Sequence, residues 1–281
     1  MISERAFMQK ILWNLFFIFV CSGIGQAHAE EVPSSDLNLI LGGEIRAYRY
    51  VEPGLISHSG PMLGVWGHWG YQTAWYKGLL DGNIFLGSLD YNGAVCSLTT
   101  GKCSDYSAKT FDVISKFTHR FSFEVSSEVD LFVGAGLRSL YDRGDGSVFY
   151  TRLGNYYFLP LGSRIKFLTD GNPQGAHYFV DLEYDVFLKG TMTSRISEVN
   201  SSMSDIEHQQ NTGYGLQISA GYQQSWVDQS HPMQFQVFYE KWRVEASDTV
   251  SQYSSASRVT YYYTEPKNFT ESYGVKVGWG F

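Results

Sequence analysis

The chain has 281 residues, 16% of them aromatic and only 17% charged, with 20 tyrosines and 29 glycines. Acids outnumber bases 28 to 21, a net charge of −7, and no basic cluster stands out, which excludes a nucleic-acid-binding surface. After the first 30 residues no stretch reaches the roughly 18 apolar residues of a helical membrane span, so only strands, which are half apolar, could cross a bilayer here.

Residues 1–29 read as a secretory signal peptide. Arg5 and Lys10 precede an apolar run over 11–24, and Ala27-His28-Ala29 supplies a small-x-small cleavage site. Residues 30–281 then form one domain. Its two cysteines, Cys96 and Cys103, are an even pair in an exported chain and are expected to form a disulfide closing one loop.

Ten runs of alternating character follow, each with apolar residues on one face and charge or glycine on the other. Strand one (37–50) sets Leu39, Leu41 and Ile45 against Glu44 and Arg46. Strand two (62–75) sets Leu63, Val65 and Trp69 against Trp66, His68 and Gln72. Asp81-Gly82 reads as a tight turn, and strand three (to 95) sets Phe85, Leu89 and Tyr91 against Asp90 and Asn92. Strand four (109–123) carries Asp112, Lys116 and Arg120 opposite a phenylalanine-rich face, and strand five, from Val129, carries Asp130 and Arg138.

Strand six (150–168) presents Arg164 and Lys166, with Pro160 predicting a bulge because a closed sheet has no free edge to spare a donor. Strand seven (178–188) alternates Tyr178, Val180, Leu182, Tyr184 and Val186 with Asp181, Glu183 and Asp185. Strand eight (214–223) and strand nine (233–246, with Glu240) follow. Strand ten (272–281) sets Tyr273, Val275, Val277, Trp279 and Phe281 against Gly274, Lys276 and two more glycines.

Charge that always occupies the face opposite the aromatics predicts an all-β, transmembrane, antiparallel up-and-down barrel of about ten strands, apolar outside and charged within. The connections alternate in length. Short turns at 76–83, 125–128, 169–176 and 225–232 share one end with both termini, and longer loops at 52–61, 96–108, 141–149, 189–212 and 247–270 face outward. The expected lumen acids are Glu44, Asp90, Asp112, Asp130, Asp181, Glu183, Asp185 and Glu240. Arg46, Lys116, Arg120, Arg138, Arg164, Lys166 and Lys276 oppose them, and pairing between the two sets predicts a plugged interior.

The final alternating strand with a terminal Phe281 resembles the carboxyl-terminal signature of Gram-negative outer-membrane β-barrel proteins. That resemblance implies residence as an integral protein of the outer membrane, outer-membrane lipid around it, and the barrel-assembly machinery as a partner. The ten-strand count resembles the fold shared by omptin proteases and Opc-type adhesins. For an omptin it implies an Asp–His couple facing an Asp pair at the barrel mouth. Asp205, Glu207 and His208 in the fourth external loop are the residues to consider, although their spacing departs from the omptin pattern. Arg143-Gly144-Asp145 in the third loop matches an integrin-recognition tripeptide. No cofactor fingerprint and no metal-ligand spacing is present. The residues favour a non-enzymatic surface protein whose loops engage a host or envelope partner. A narrow porin and an omptin-like protease are the alternatives.

Deleting Phe281 is expected to lower the heat-modifiable, folded fraction recovered in outer membranes. Unchanged recovery would remove the terminal strand as the assembly signal.

Overall fold

A computed structural model describes residues 38–72, 76–96, 103–144, 149–169, 175–224, 231–254 and 258–281. The signal segment lies outside them. Seven long strands come first: β1 (Asn38–Glu52), β2 (Ile56–Gln72), β3 (Lys77–Cys96), β4 (Cys103–Ser126), β5 (Val129–Gly144), β6 (Arg152–Leu168) and β7 (His177–Ser194). A short β8 (Ile206–Gln210), β9 (Gly213–Gln223), β10 (Met233–Val244), a hairpin of β11 (Val250–Ser254) and β12 (Val259–Tyr263), and β13 (Asn268–Gly280) complete the chain. Ten of these form a ring. Each pairs antiparallel with its predecessor, and β13 returns to β1 over a ladder from Ile40↔Gly280 to Val51↔Phe269. Closure leaves no edge, which is the condition for crossing hydrocarbon with strands.

The sheet is inside out relative to a soluble protein. Leu41, Ile45, Val65, Leu131, Phe167, Leu182, Ile218, Val237 and Trp279 are exposed on the outer wall, while Glu44, Arg46, Asp112, Asp130, Asp181, Glu183, Asp185 and Glu240 are buried inside. Charge returns to the outer wall near the loop end, in the pairs Lys109–Asp90 (2.5 Å) and Lys241–Glu271 (3.2 Å) and at exposed Arg49. Those side chains mark where the apolar belt stops.

Strand three corrects the sequence-based expectation. Phe85, Leu89 and Tyr91 point into the barrel, and Asp90 points out. The cause is register. Leu63↔Leu86 and Val65↔Ile84 are directly opposed on β2 and β3, opposed residues share a face, and Leu63 and Val65 face out. Phe85 therefore faces in, opposite Gly64, where an added Cβ would come within 2.6 Å of the Phe85 Cβ. Asp81-Gly82 is likewise no turn: both lie within β3, opposite His68 and Gly67.

The strands also run further than their apolar faces. The expected loop at 52–61 is a tight turn with Gly54 at φ +77 and Leu55 N–H donating to the Glu52 carbonyl at 3.0 Å. The fourth and fifth expected loops contain β8, a 3-10 turn at Ile196–Glu198, and the β11–β12 hairpin. The irregularity predicted by Pro160 is present. The β6–β7 register slips between Tyr157 and Phe158, passing over Leu188, and on the β5 side the ladder skips Leu159 and Pro160.

Leu182→Arg is expected to lower the folded fraction in a heat-modifiable gel shift, because a lipid-facing cation near the midplane costs ~2–4 kcal/mol. Leu182→Phe should fold like the parent. Normal folding of the arginine variant would refute the inside-out assignment.

Candidate functional site

Two charge centres sit in the lumen at different heights. The lower one is built around Lys116 on β4, whose Nζ lies 3.0 Å from Glu183, 2.9 Å from Asp185 and 3.2 Å from Glu240. Glu183 and Asp185 reach it because they occupy alternate positions of β7, and Glu240 comes from β10. Arg120, four residues along β4, meets Glu183 at 2.6 Å and Asp81 at 3.4 Å. Arg164 holds Asp181 through two hydrogen bonds of 2.7 and 2.8 Å, and Lys166 pairs with Asp130 at 2.8 Å. Arg46 pairs with Glu44 and, at 3.3 Å, with Glu240, while Lys276 stands 3.4 Å from Glu44.

Of the fifteen lumen charges expected, fourteen face the interior and Asp90 does not. Arg164 finds its strand-seven partner. Lys166 instead turns back to β5, and Glu183 is neutralised from across the lumen by Lys116 and Arg120.

Rings separate the centres. Tyr48, Tyr50, Met62, Phe85, Leu89 and Ile114 form one buried cluster, and Tyr156, Phe158, Phe187, Met192, Trp242 and Val244 a second. The cations pack on their faces: Arg46 is 3.5 Å from the Phe85 ring centre, and Arg138 is 5.3 Å from that of Trp242. Below Lys116, toward the turn end, a polar cavity of about 50 Å³ borders His68, Asp81, Gln234 and Gln236. That is room for a few waters.

The upper centre lies at the loop end. Arg152, the first residue of β6, donates to Glu52 at the end of β1 (2.7 Å), to the Tyr50 hydroxyl (3.3 Å), and to Glu265, and stands 3.9 Å from Asp142. Register aligns it: Asp112, Asp142 and Arg152 are successive partners across β4, β5 and β6. His58 on β2 approaches Asp112 at 3.4 Å, beneath the rings of Tyr50 and Tyr91. Burial, reinforced by the other acids, lifts the Glu265 carboxyl to about 7 and the Asp142 carboxyl to about 6 against the pull of Arg152. Three carboxylates thus share one guanidinium.

Glu52 and Asp142 fall in expected loops but lie on β1 and β5, and Arg152 is not among the expected lumen charges. A signal was present, since Glu52 continues the inward parity of Glu44 and Arg46, and Arg152 that of Arg164 and Lys166.

Asp205, Glu207 and His208 are not brought together. Asp205 is exposed and accepts the Ser197 hydroxyl at 2.6 Å, and Glu207 is exposed on the opposite face of β8 from His208. His208 is buried, 3.3 Å from the Ser247 hydroxyl, and burial holds its imidazole below the ordinary histidine value. Structure therefore offers a different acid–histidine pair, Asp112–His58, closed off inside the mouth with His58 only 3% exposed. Arg143 is exposed and Gly144 ends β5, while Asp145 lies outside the described residues. Cys96 and Cys103 stand directly opposite each other in the β3–β4 register; their side chains fall outside the described set. Among the described residues no group of three or more His, Cys, Asp or Glu is arranged to hold a metal ion.

A closed ring of ten antiparallel strands, apolar without and charged within, is the outer-membrane type of β-barrel. No family model matches the chain, and no curated protein sequence does. Among solved structures it is similar to the outer membrane protease OmpT from Escherichia coli (TM-score 0.47, 11% identity, 89% of this chain and 99% of that one). It is also similar to the β domain of the Bordetella autotransporter BrkA (0.41, 11% identity, 85% and 99%). A third is the Pseudomonas putida toluene transporter TodX (0.32, 7% identity, 89% and 90%).

Lys116→Met should be strongly destabilising, by about 3–5 kcal/mol in denaturant unfolding, since it strands buried Asp185 and leaves Glu183 and Glu240 with Arg120 and Arg46 alone. Lys109→Met, which breaks only the exposed pair with Asp90, should cost under ~1 kcal/mol.

Proposed function

We propose that this protein is an integral component of a Gram-negative outer membrane, exported by the 1–29 signal. In this reading it is non-enzymatic and acts through the strands and loops that rise beyond the apolar belt, where it engages a partner at the surface. The observation that carries the reading is the filled lumen. Two charge centres and two aromatic clusters stack along the interior, and their members Leu89, Tyr156, Trp242 and Asp185 have no exposed surface. A route for solutes would require breaking Lys116 away from three acids, which argues against the porin alternative.

The outer end has the opposite character. Tyr253, Val259 and Tyr262 on the β11–β12 hairpin are 62%, 47% and 73% exposed, large amphipathic surface of the kind that forms binding patches. The hairpin leans on the β7–β8 extension, with Gln252 donating to the Ser204 carbonyl at 3.1 Å and the Tyr263 hydroxyl 3.9 Å from the Met203 sulfur. The two segments thus support one another as a platform.

In planar bilayers the purified protein is expected to give no unit conductance in potassium chloride. Proteoliposomes should bind one member of a panel of immobilised extracellular-matrix proteins and glycans, with binding falling at least roughly tenfold in the Tyr253→Ser, Tyr262→Ser double variant, as for aromatic hot spots. Discrete conductance steps would favour the porin. Peptide cleavage abolished by His58→Ala would favour the protease.

A further inference from the structure

We infer that the upper charge centre is a proton-operated latch that holds the base of the β11–β12 hairpin down over the barrel mouth in acid and releases it as the medium becomes neutral to alkaline. The latch needs no partner, so it stands or falls apart from the surface-binding reading.

Its moving part is Glu265. This residue lies in the short segment between β12 and β13, yet it is 5% exposed, because its side chain reaches down into the mouth to Arg152. Its backbone is tied to the other leg of the hairpin. Glu265 N–H donates to the Ser247 hydroxyl at 2.8 Å, and Ser247 N–H donates to the Glu265 carbonyl at 2.9 Å. Ser247 in turn meets His208 on β8, and Asp248 N–H donates to the Gln209 carbonyl at 3.2 Å. Seating Glu265 therefore seats both legs of the hairpin and joins them to the β8 extension.

The groups around that carboxyl decide when it stays. Arg152 is the cation in contact with it, and Glu52 from β1 and Asp142 from β5 compete for the same guanidinium. Tyr50 from β1, Tyr150 before β6 and Tyr156 within β6 also feel the Glu265 charge. Asp112 from β4 and His58 from β2 lie beyond Asp142, and Tyr91 from β3 covers His58. With all three acids ionised around one arginine the mouth holds surplus buried negative charge, which water would solvate better.

The sign of the linkage follows. A carboxyl whose value in the folded state lies above its value when released binds protons preferentially in the seated form. The latch is thus fully set below about pH 4.5 and weakens as pH rises through about 7. His208 works in the other sense. Its depressed value favours release as pH falls through the ordinary histidine range, so between pH 6 and 8.5 it works against the acids and cannot itself produce a loss of seating at the higher pH.

Hydrogen exchange of the full-length protein in detergent or liposomes, corrected for intrinsic exchange rates, tests this at the amides of Ser247, Asp248 and Glu265. Their protection is expected to fall roughly tenfold or more between pH 6 and 8.5, while the β1–β13 ladder stays protected. Glu265→Gln, which cannot ionise, should show no such fall. Asp142→Asn keeps Glu265 and Arg152 but removes a competing charge, so it should move the midpoint to lower pH. Equal protection at both pH values in the parent would overturn the latch. So would an undiminished fall in Glu265→Gln, or, if that variant does not fold, an unmoved midpoint in Asp142→Asn.

Discussion

Hydrocarbon offers no partner for a peptide group, and the pairing of β13 with β1 is where this chain meets that condition. Once the first and last strands are joined, every ring strand has a neighbour on both sides, and the outer wall can be plain Leu, Val, Ile and aromatic rings. Closure also makes an interior. With ten strands that interior is only slightly wider than one that side chains fill by themselves. What the lumen contains is thus as constrained as what the wall presents.

The protein fills that space in layers. Lys116, Arg46, Arg120 and Arg164 offset the acids of β7 and β10 in the lower centre, rings close above it, and a second centre of one arginine and several acids lies at the mouth. Paired charge and packed rings do different work. A buried ion pair is costly to break but a modest source of net stability, whereas the rings remove apolar area from water and give the cations faces to rest on. The lower centre is balanced. The upper one carries more acid than base, which is why it responds to protons.

The wall was legible in the sequence where alternation is strict. Over residues 180–186 of β7 and 272–280 of β13 each second residue is apolar and the others are charged or small, and both faces are as expected, with Leu182 out and Asp181 in. Legibility failed where the interior is itself apolar. Phe85, Leu89 and Tyr91 look lipid-facing if the lumen is taken to be polar throughout, but at that height it is a ring-packed core, and the register to Leu63 and Val65 decides the matter. The mouth was missed for another reason. Polar residues beyond the apolar belt look like loop, yet β1 and β5 continue through them, so Glu52 and Asp142 are held on strands. His208 stood out as a polar loop residue next to an acid, and it is a buried staple because β8 extends the β7 edge.

The lower centre also bears on the order of events by which the barrel comes into being. Lys116 draws its partners from β7 and β10, residues 67 to 124 positions further along the chain. Local hairpins such as β4–β5 can pair as soon as both strands exist, but this cation has no counter-charge until the later strands arrive. Contacts of such separation form late, after much chain entropy has been lost. The half-built sheet must therefore keep its inner face wet, curling shut and expelling water only when β10 and β13 are delivered, so that dehydration of the lumen and sealing of the seam become a single final step.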